Sequence, residues 1–161
     1  MAIPDSVTSI GSSALSDCDN LTDITVDENN QSYMSIDGNL YSKDGKILIQ
    51  YAIGKSESEF IIPNSVTIIS EWAFGGCYSL TSVVIPDSVT SIGYFAFYSC
   101  DRLTSVVIGD SVTNIGNAAF YSCDRLTDVY YTGTEAEWEA TTIGSLNSDL
   151  TSATIHYNYV P

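Results

Sequence analysis

Apolar residues recur along this chain in short, similarly worded phrases. In Leu80-Thr-Ser-Val-Val-Ile85 and Leu103-Thr-Ser-Val-Val-Ile108, Val83 and Val106 alternate with Ser and Val of the other face, as in a strand covered on one side. A turn phrase follows, Pro-Asp-Ser or Gly-Asp-Ser. There, proline is expected to fix φ at the first central position, and the Asx side chain to bond its own backbone. Val-Thr-x-Ile then predicts a second short strand. Ala-Phe-x-x-Cys predicts one helical or 3₁₀ turn that pushes Ala, Phe and Cys inward, being too short for a stable isolated helix.

The phrases are periodic. Ile62, Ile85 and Ile108 open equivalent turns 23 residues apart, and Phe74, Phe97, Phe120 and Cys77, Cys100, Cys123 keep the same step. Leu15 and Cys18 hold those places in a first unit whose turn starts at Ile3. No unit buries its apolar side alone, so neighbours stack. The expected fold class is a β-rich α/β repeat solenoid with a parallel sheet of about six strands.

One unit is irregular. The step from Val26 to Ile62 is 36 residues and lacks the Ala-Phe and Cys pattern. Asp37-Gly38 and Asp44-Gly45, between apolar runs, predict a three-stranded meander. At the far end Leu126-Thr-Asp-Val-Tyr-Tyr is answered 24 residues later by Leu150-Thr-Ser-Ala-Thr-Ile, read as a last strand. The expected organisation is a single solenoid over 1–161. Its parts are a first unit at 3–25, a long variant unit at 26–61, three regular units at 62–130 and a cap at 131–161.

The 23-residue step, Leu-x-x-Val-x-Ile-Pro-x-Ser-Val-Thr-x-Ile and Ala-Phe-x-x-Cys-x-x-Leu resemble the BspA-like leucine-rich repeats, also called the Treponema pallidum type. Ser-Ile-Asp-Gly-Asn-Leu-Tyr-Ser-Lys-Asp-Gly-Lys resembles a variant repeat of that family, and the stretch from Tyr131 to Tyr157 its C-terminal cap. The resemblance implies a right-handed horseshoe or curved stack in a secreted or cell-surface protein of a bacterium or mucosal protist. Its repeats would bind host extracellular-matrix or cell-surface proteins, neighbouring cells or glycans, in the manner of an adhesin. No catalytic motif or cofactor comes with it. Because the chain begins at the turn of a repeat, the expectation is a piece of a longer array whose uncapped first edge self-associates weakly.

Charge narrows the partners. Twenty Asp and Glu against five Lys and Arg give a formal net charge of −15, which repels nucleic acid and anionic membranes. No window is apolar enough to insert in a bilayer. The single histidine, His156, denies triads and most zinc sites their usual parts. The four cysteines read as buried free thiols, since equivalent residues of stacked units point in parallel. Glu135, Glu137 and Glu139 beside Trp138 are the acidic and aromatic cluster that a polysaccharide-acting enzyme would use, but the bland reading is a soluble cap around a sealing Trp. Calcium at Asp27, Glu28, Asn29 and Asn30 lacks the alternating ligand pattern, so neither a metal nor a cofactor is expected.

The sharper expectation concerns the open sheet face. With Val and Ile inward, the residues outward are Asp23 and Thr25, Glu59 and Ile61, Ser82 and Val84, Ser105 and Val107, Asp128 and Tyr130, then Ser152 and Thr154. Stacking in register lines up Ile61, Val84, Val107 and Tyr130 beside the column Glu59, Ser82, Ser105 and Asp128, a noncatalytic protein-binding surface. β-Propensity alone also places β-branched residues there. The rival function is a structural spacer with no ligand of its own.

Overall fold

A computed structural model describes residues 1–161. The strands in chain order are β1 (Ala2–Ile3), β2 (Thr25–Val26), β3 (Tyr33–Ile36), β4 (Asn39–Ser42), β5 (Ile47–Gln50), β6 (Glu59–Ile61), β7 (Ile68–Ile69), β8 (Ser82–Ile85), β9 (Ser91–Ile92), β10 (Ser105–Ile108), β11 (Asn114–Ile115), β12 (Asp128–Tyr131), β13 (Thr142–Ile143) and β14 (Thr154–His156). Two short helices, α1 (Glu135–Ala140) and α2 (Ser148–Ser152), lie in the C-terminal cap.

Each regular unit contributes one strand to each of two parallel sheets, which face each other across the core. The main sheet runs β6-β8-β10-β12-β14, and the second runs β5-β7-β9-β11-β13 before continuing through antiparallel β4 and β3. Strands β1 and β2 pair only with each other, so the main sheet has five strands rather than six. The sheet stops there because Ile24 N donates to Gly38 O at 2.8 Å: the meander turn takes the strand's partner position.

Threonine explains part of the repeat's constancy. Thr81, Thr104 and Thr127 each donate a hydroxyl to the main-chain carbonyl 23 residues earlier, at 3.0 to 3.3 Å. Thr90 and Thr113 do the same on the second sheet. The turn differs from expectation. Val66 and Val89 donate to the carbonyls of Pro63 and Pro86, which makes proline the first residue of the turn and not a central one.

The Ala-Phe-x-x-Cys segments are not helical. Trp72, Phe95 and Ala118 are left-handed, with φ of 61°, 56° and 54°, as are Gly76, Ser99 and Ser122 four residues on. This breaks any helix and turns alternate N–H groups toward the next unit: Phe74 N donates to Ala96 O and Phe97 N to Ala119 O, both at 2.7 Å. Inside, Phe74, Phe97 and Phe120 stack at 4.7 and 4.8 Å, and Tyr51 extends the pile at 5.2 Å. Cys100 and Cys123 donate their thiols to Phe74 O and Phe97 O. All four cysteines are free; Cys77, Cys100 and Cys123 are buried, whereas Cys18 is half-buried. Burial raises the Cys77 and Cys100 thiol pKa values.

Candidate functional site

The open face of the main sheet is built by register. Ile61 pairs with Val84, Val84 with Val107, Val107 with Tyr130, and Tyr130 with His156. The second column is Glu59, Ser82, Ser105, Asp128 and Thr154. The structure thus brings together all eight of the sequence-derived residues. Their exposure is uneven: Ile61 is 70% exposed and Val107 only 8%. The reason is the chain after β14. Asn158 N donates to Gly133 O and Tyr159 N to Tyr131 O, so the backbone turns back onto the face. The Tyr159 ring packs on Tyr130 at 4.8 Å. Pro161 joins Ile61, Val84, Val107, Asp87 and Thr132 around a cavity of about 390 Å³.

Two flanking expectations are corrected. Asp23 and Thr25 do not extend the columns, since β2 leaves the sheet. Ser152 lies in α2, and Asp128 is opposite Thr154, an offset of 26 rather than 24, because α2 absorbs two residues before the strand begins. His156 therefore joins the apolar column, which the sequence reading missed. The signal was present in Ala153-Thr-Ile-His, whose Ile155 pairs with buried Val129.

His156 Nε2 lies 2.7 Å from Asp128 Oδ1, within hydrogen-bond distance, and its ring stacks on Tyr130 at 4.6 Å. The His156 hydrogen bond, and after it that of the Thr127 hydroxyl, hold the Asp128 carboxyl below the usual carboxylate range. No serine hydroxyl or thiol bonds to the imidazole, so the pair is an anchor for the aromatic stack and not an activated nucleophile.

The other acidic clusters have structural occupations. Thr134 and Glu137 close a capping box on α1, while Trp138 is buried edge-on against Tyr131 at 5.1 Å. Asn30 is fully buried: its amide donates to Pro4 O and Val7 O, and its Oδ1 accepts from Ser32 N and Tyr33 N. It ties the first unit to the meander.

Comparison with known proteins agrees with this architecture. A family model described as the BspA type leucine rich repeat region matches residues 1–47 and 50–159 in six copies. A leucine-rich repeat protein of Eubacterium ventriosum is 29% identical over 97% of this chain and 41% of its own, with a TM-score of 0.84. A leucine rich cell surface protein of Faecalibacterium prausnitzii is 30% identical over 90% of this chain and 51% of its own, TM-score 0.56. A leucine-rich repeat protein of Bacteroides capillosus is 25% identical over 78% of this chain and 98% of its own, TM-score 0.64. The chain thus spans about half or less of the first two. No curated protein matches it. No helix is long and apolar enough to cross a membrane.

Proposed function

We propose that this chain, which belongs to the BspA-type leucine-rich repeat family, is a noncatalytic binding module of a secreted or cell-surface protein. Its open sheet face recognises host or neighbouring-cell proteins. The observation that supports this most is the in-register column of Ile61, Val84, Val107 and Tyr130, with a side chain as apolar as Ile61 left 70% exposed. Isolated apolar residues on a surface are ordinary, whereas an in-register apolar column that opens beside a cavity is what an interface core needs. The cell-surface neighbour of F. prausnitzii supports the location.

The chain after β14 packs on Tyr130 and leaves Val107 buried, so the accessible end of the strip is exposed Ile61 with half-buried Val84, edged by Glu59 and Asp87. A net charge of −15 favours basic or neutral partners, with association slowing as salt rises if the partner is basic. The test is saturable binding to immobilised matrix proteins and mucosal glycans, repeated with an Ile61→Ser, Val84→Ser variant whose fold is checked by circular dichroism. Lost binding with the fold intact supports the reading. Unchanged affinity moves the site elsewhere, and no saturable binding at all favours the spacer.

A further inference from the structure

The left-handed corners of the array form a ladder that lacks one rung. Ser13, Trp72, Phe95, Ala118 and Leu146 occupy equivalent places with φ between 54° and 63°. From the third unit onward, one peptide group per unit links them. Trp72 N donates to Tyr94 O at 3.1 Å, Phe95 N to Asn117 O at 3.2 Å and Ala118 N to Ser145 O at 2.8 Å. The Tyr94–Phe95 peptide group therefore accepts on one side with its carbonyl and donates on the other with its N–H.

The second unit has no such group. Leu48 pairs with Ile69, and Tyr51, whose N–H donates to Ala73 O, stands where the other units have Phe. Two residues join Leu48 to Tyr51, whereas four join Ile69 to Phe74. The counterpart of Glu71-Trp72 is thus missing. Ser13 N–H and Glu71 C=O, the two groups facing the missing rung in the ladder, have no partner in the chain. In its place lies a groove of about 540 Å³, lined by Ile47, Ile49 and Ile68 and by Ser13, Leu15 and Glu71.

We propose that this gap binds an extended, basic peptide segment of a partner protein, which supplies the missing rung. One peptide carbonyl of the segment accepts from Ser13 N–H, and the N–H of the same peptide group donates to Glu71 C=O. Its apolar side chains lie on Ile47, Ile49 and Ile68. Main-chain bonds give such recognition its register and side-chain contacts its selectivity. Charge sets the class of segment: the Glu71 side chain is exposed at the groove and the chain carries −15, so Lys or Arg beside apolar residues is favoured. The site is separate from the open sheet face and does not depend on it.

The probe is fluorescein-labelled Lys-Lys-Ile-Gly-Tyr-Phe-Ala-Lys, whose middle repeats residues 92–96, followed by fluorescence anisotropy at low salt. Saturable binding is expected, weakened about tenfold or more by N-methylation at the probe's Phe, which removes the donor of the rung, and by Glu71→Lys at the exposed lip. Hydrogen exchange at the Ser13 amide should slow on binding. The Ile61→Ser, Val84→Ser variant of the open face should bind the probe like wild type. Absence of saturable binding, indifference to N-methylation, or loss of binding in that double variant overturns the proposal.

Discussion

The three regular units and the first unit carry nearly the same phrases, yet their interiors differ in kind. The regular units share a continuous core of 31 buried residues, which also takes in the cap and one face of the meander. The first unit has a separate core of four, Ile3, Ile24, Leu40 and Ala52, ringed by half-buried side chains such as Val7, Ile10 and Leu15. The meander is the partition. Along β4, Leu40 points to the small core and Tyr41 to the large one; along β5, Ile49 and Leu48 divide in the same way. A sheet layer whose middle strand, β4, is buried over Asn39, Leu40 and Tyr41 has replaced a repeat and cut the stack in two.

Polar burial follows the same division. The buried polar side chains are Asn30, Asn39, Gln50 and Asn147, all in the irregular unit or the cap and none in the regular units. Where the main-chain ladder repeats, backbone satisfies backbone. Where it is interrupted, a carboxamide bridges the break: Asn39 Oδ1 accepts from Ala52 N, Gln50 Nε2 donates to Ala73 O, and Asn147 Oδ1 accepts from Phe120 N.

The contrast can be broken or sharpened by substitution. The largest effect is expected at Phe97, stacked between two rings and fully buried, where Phe97→Ala should cost about 3 to 5 kcal/mol. Leu15→Ala at the equivalent place in the first unit should cost only about 1 kcal/mol, since half-buried Leu15 has no ring column above it. Chemical denaturation of both variants measures the pair, and equal losses would erase the contrast. Cys100→Ser should cost about 1 to 2 kcal/mol, because the hydroxyl keeps Phe74 O as acceptor but loses apolar packing.

Smaller effects mark the borders. The Tyr51 hydroxyl is buried without a partner, and its burial drives the phenol pKa well above its ordinary value; Tyr51→Phe should therefore stabilise by about 1 kcal/mol in thermal melts. At the other border, the Asp128 carboxyl is held low chiefly by His156, so its contribution is present above the unfolded value of about 3.9 and lost as pH falls through the lower folded value. The melting-temperature gap between wild type and Asp128→Asn should close on acidification below about pH 4.

The period made the stacking, the inward Phe and Cys columns and the alignment of Ile61, Val84, Val107 and Tyr130 legible, because a constant step leaves register no freedom. What escaped lies where the step changes. The two residues absorbed by α2 moved His156 into the column, and the loss of β2 from the main sheet follows from one bond, Ile24 N to Gly38 O. The left-handed corners were also hidden, since Trp72 and Phe95 are bulky residues that ordinarily avoid positive φ; the ladder of hydrogen bonds between units holds them there.

Native-state hydrogen exchange in low denaturant tests the partition most directly. Amides of Val83, Val106 and Val129 should open only in a global event with the full denaturant slope, while those of Ile24, Thr25 and Asp27 should open earlier, with a smaller slope and a lower free energy. A common free energy and slope for both groups would contradict the account, for it would mean that the meander joins the two cores into one cooperative unit.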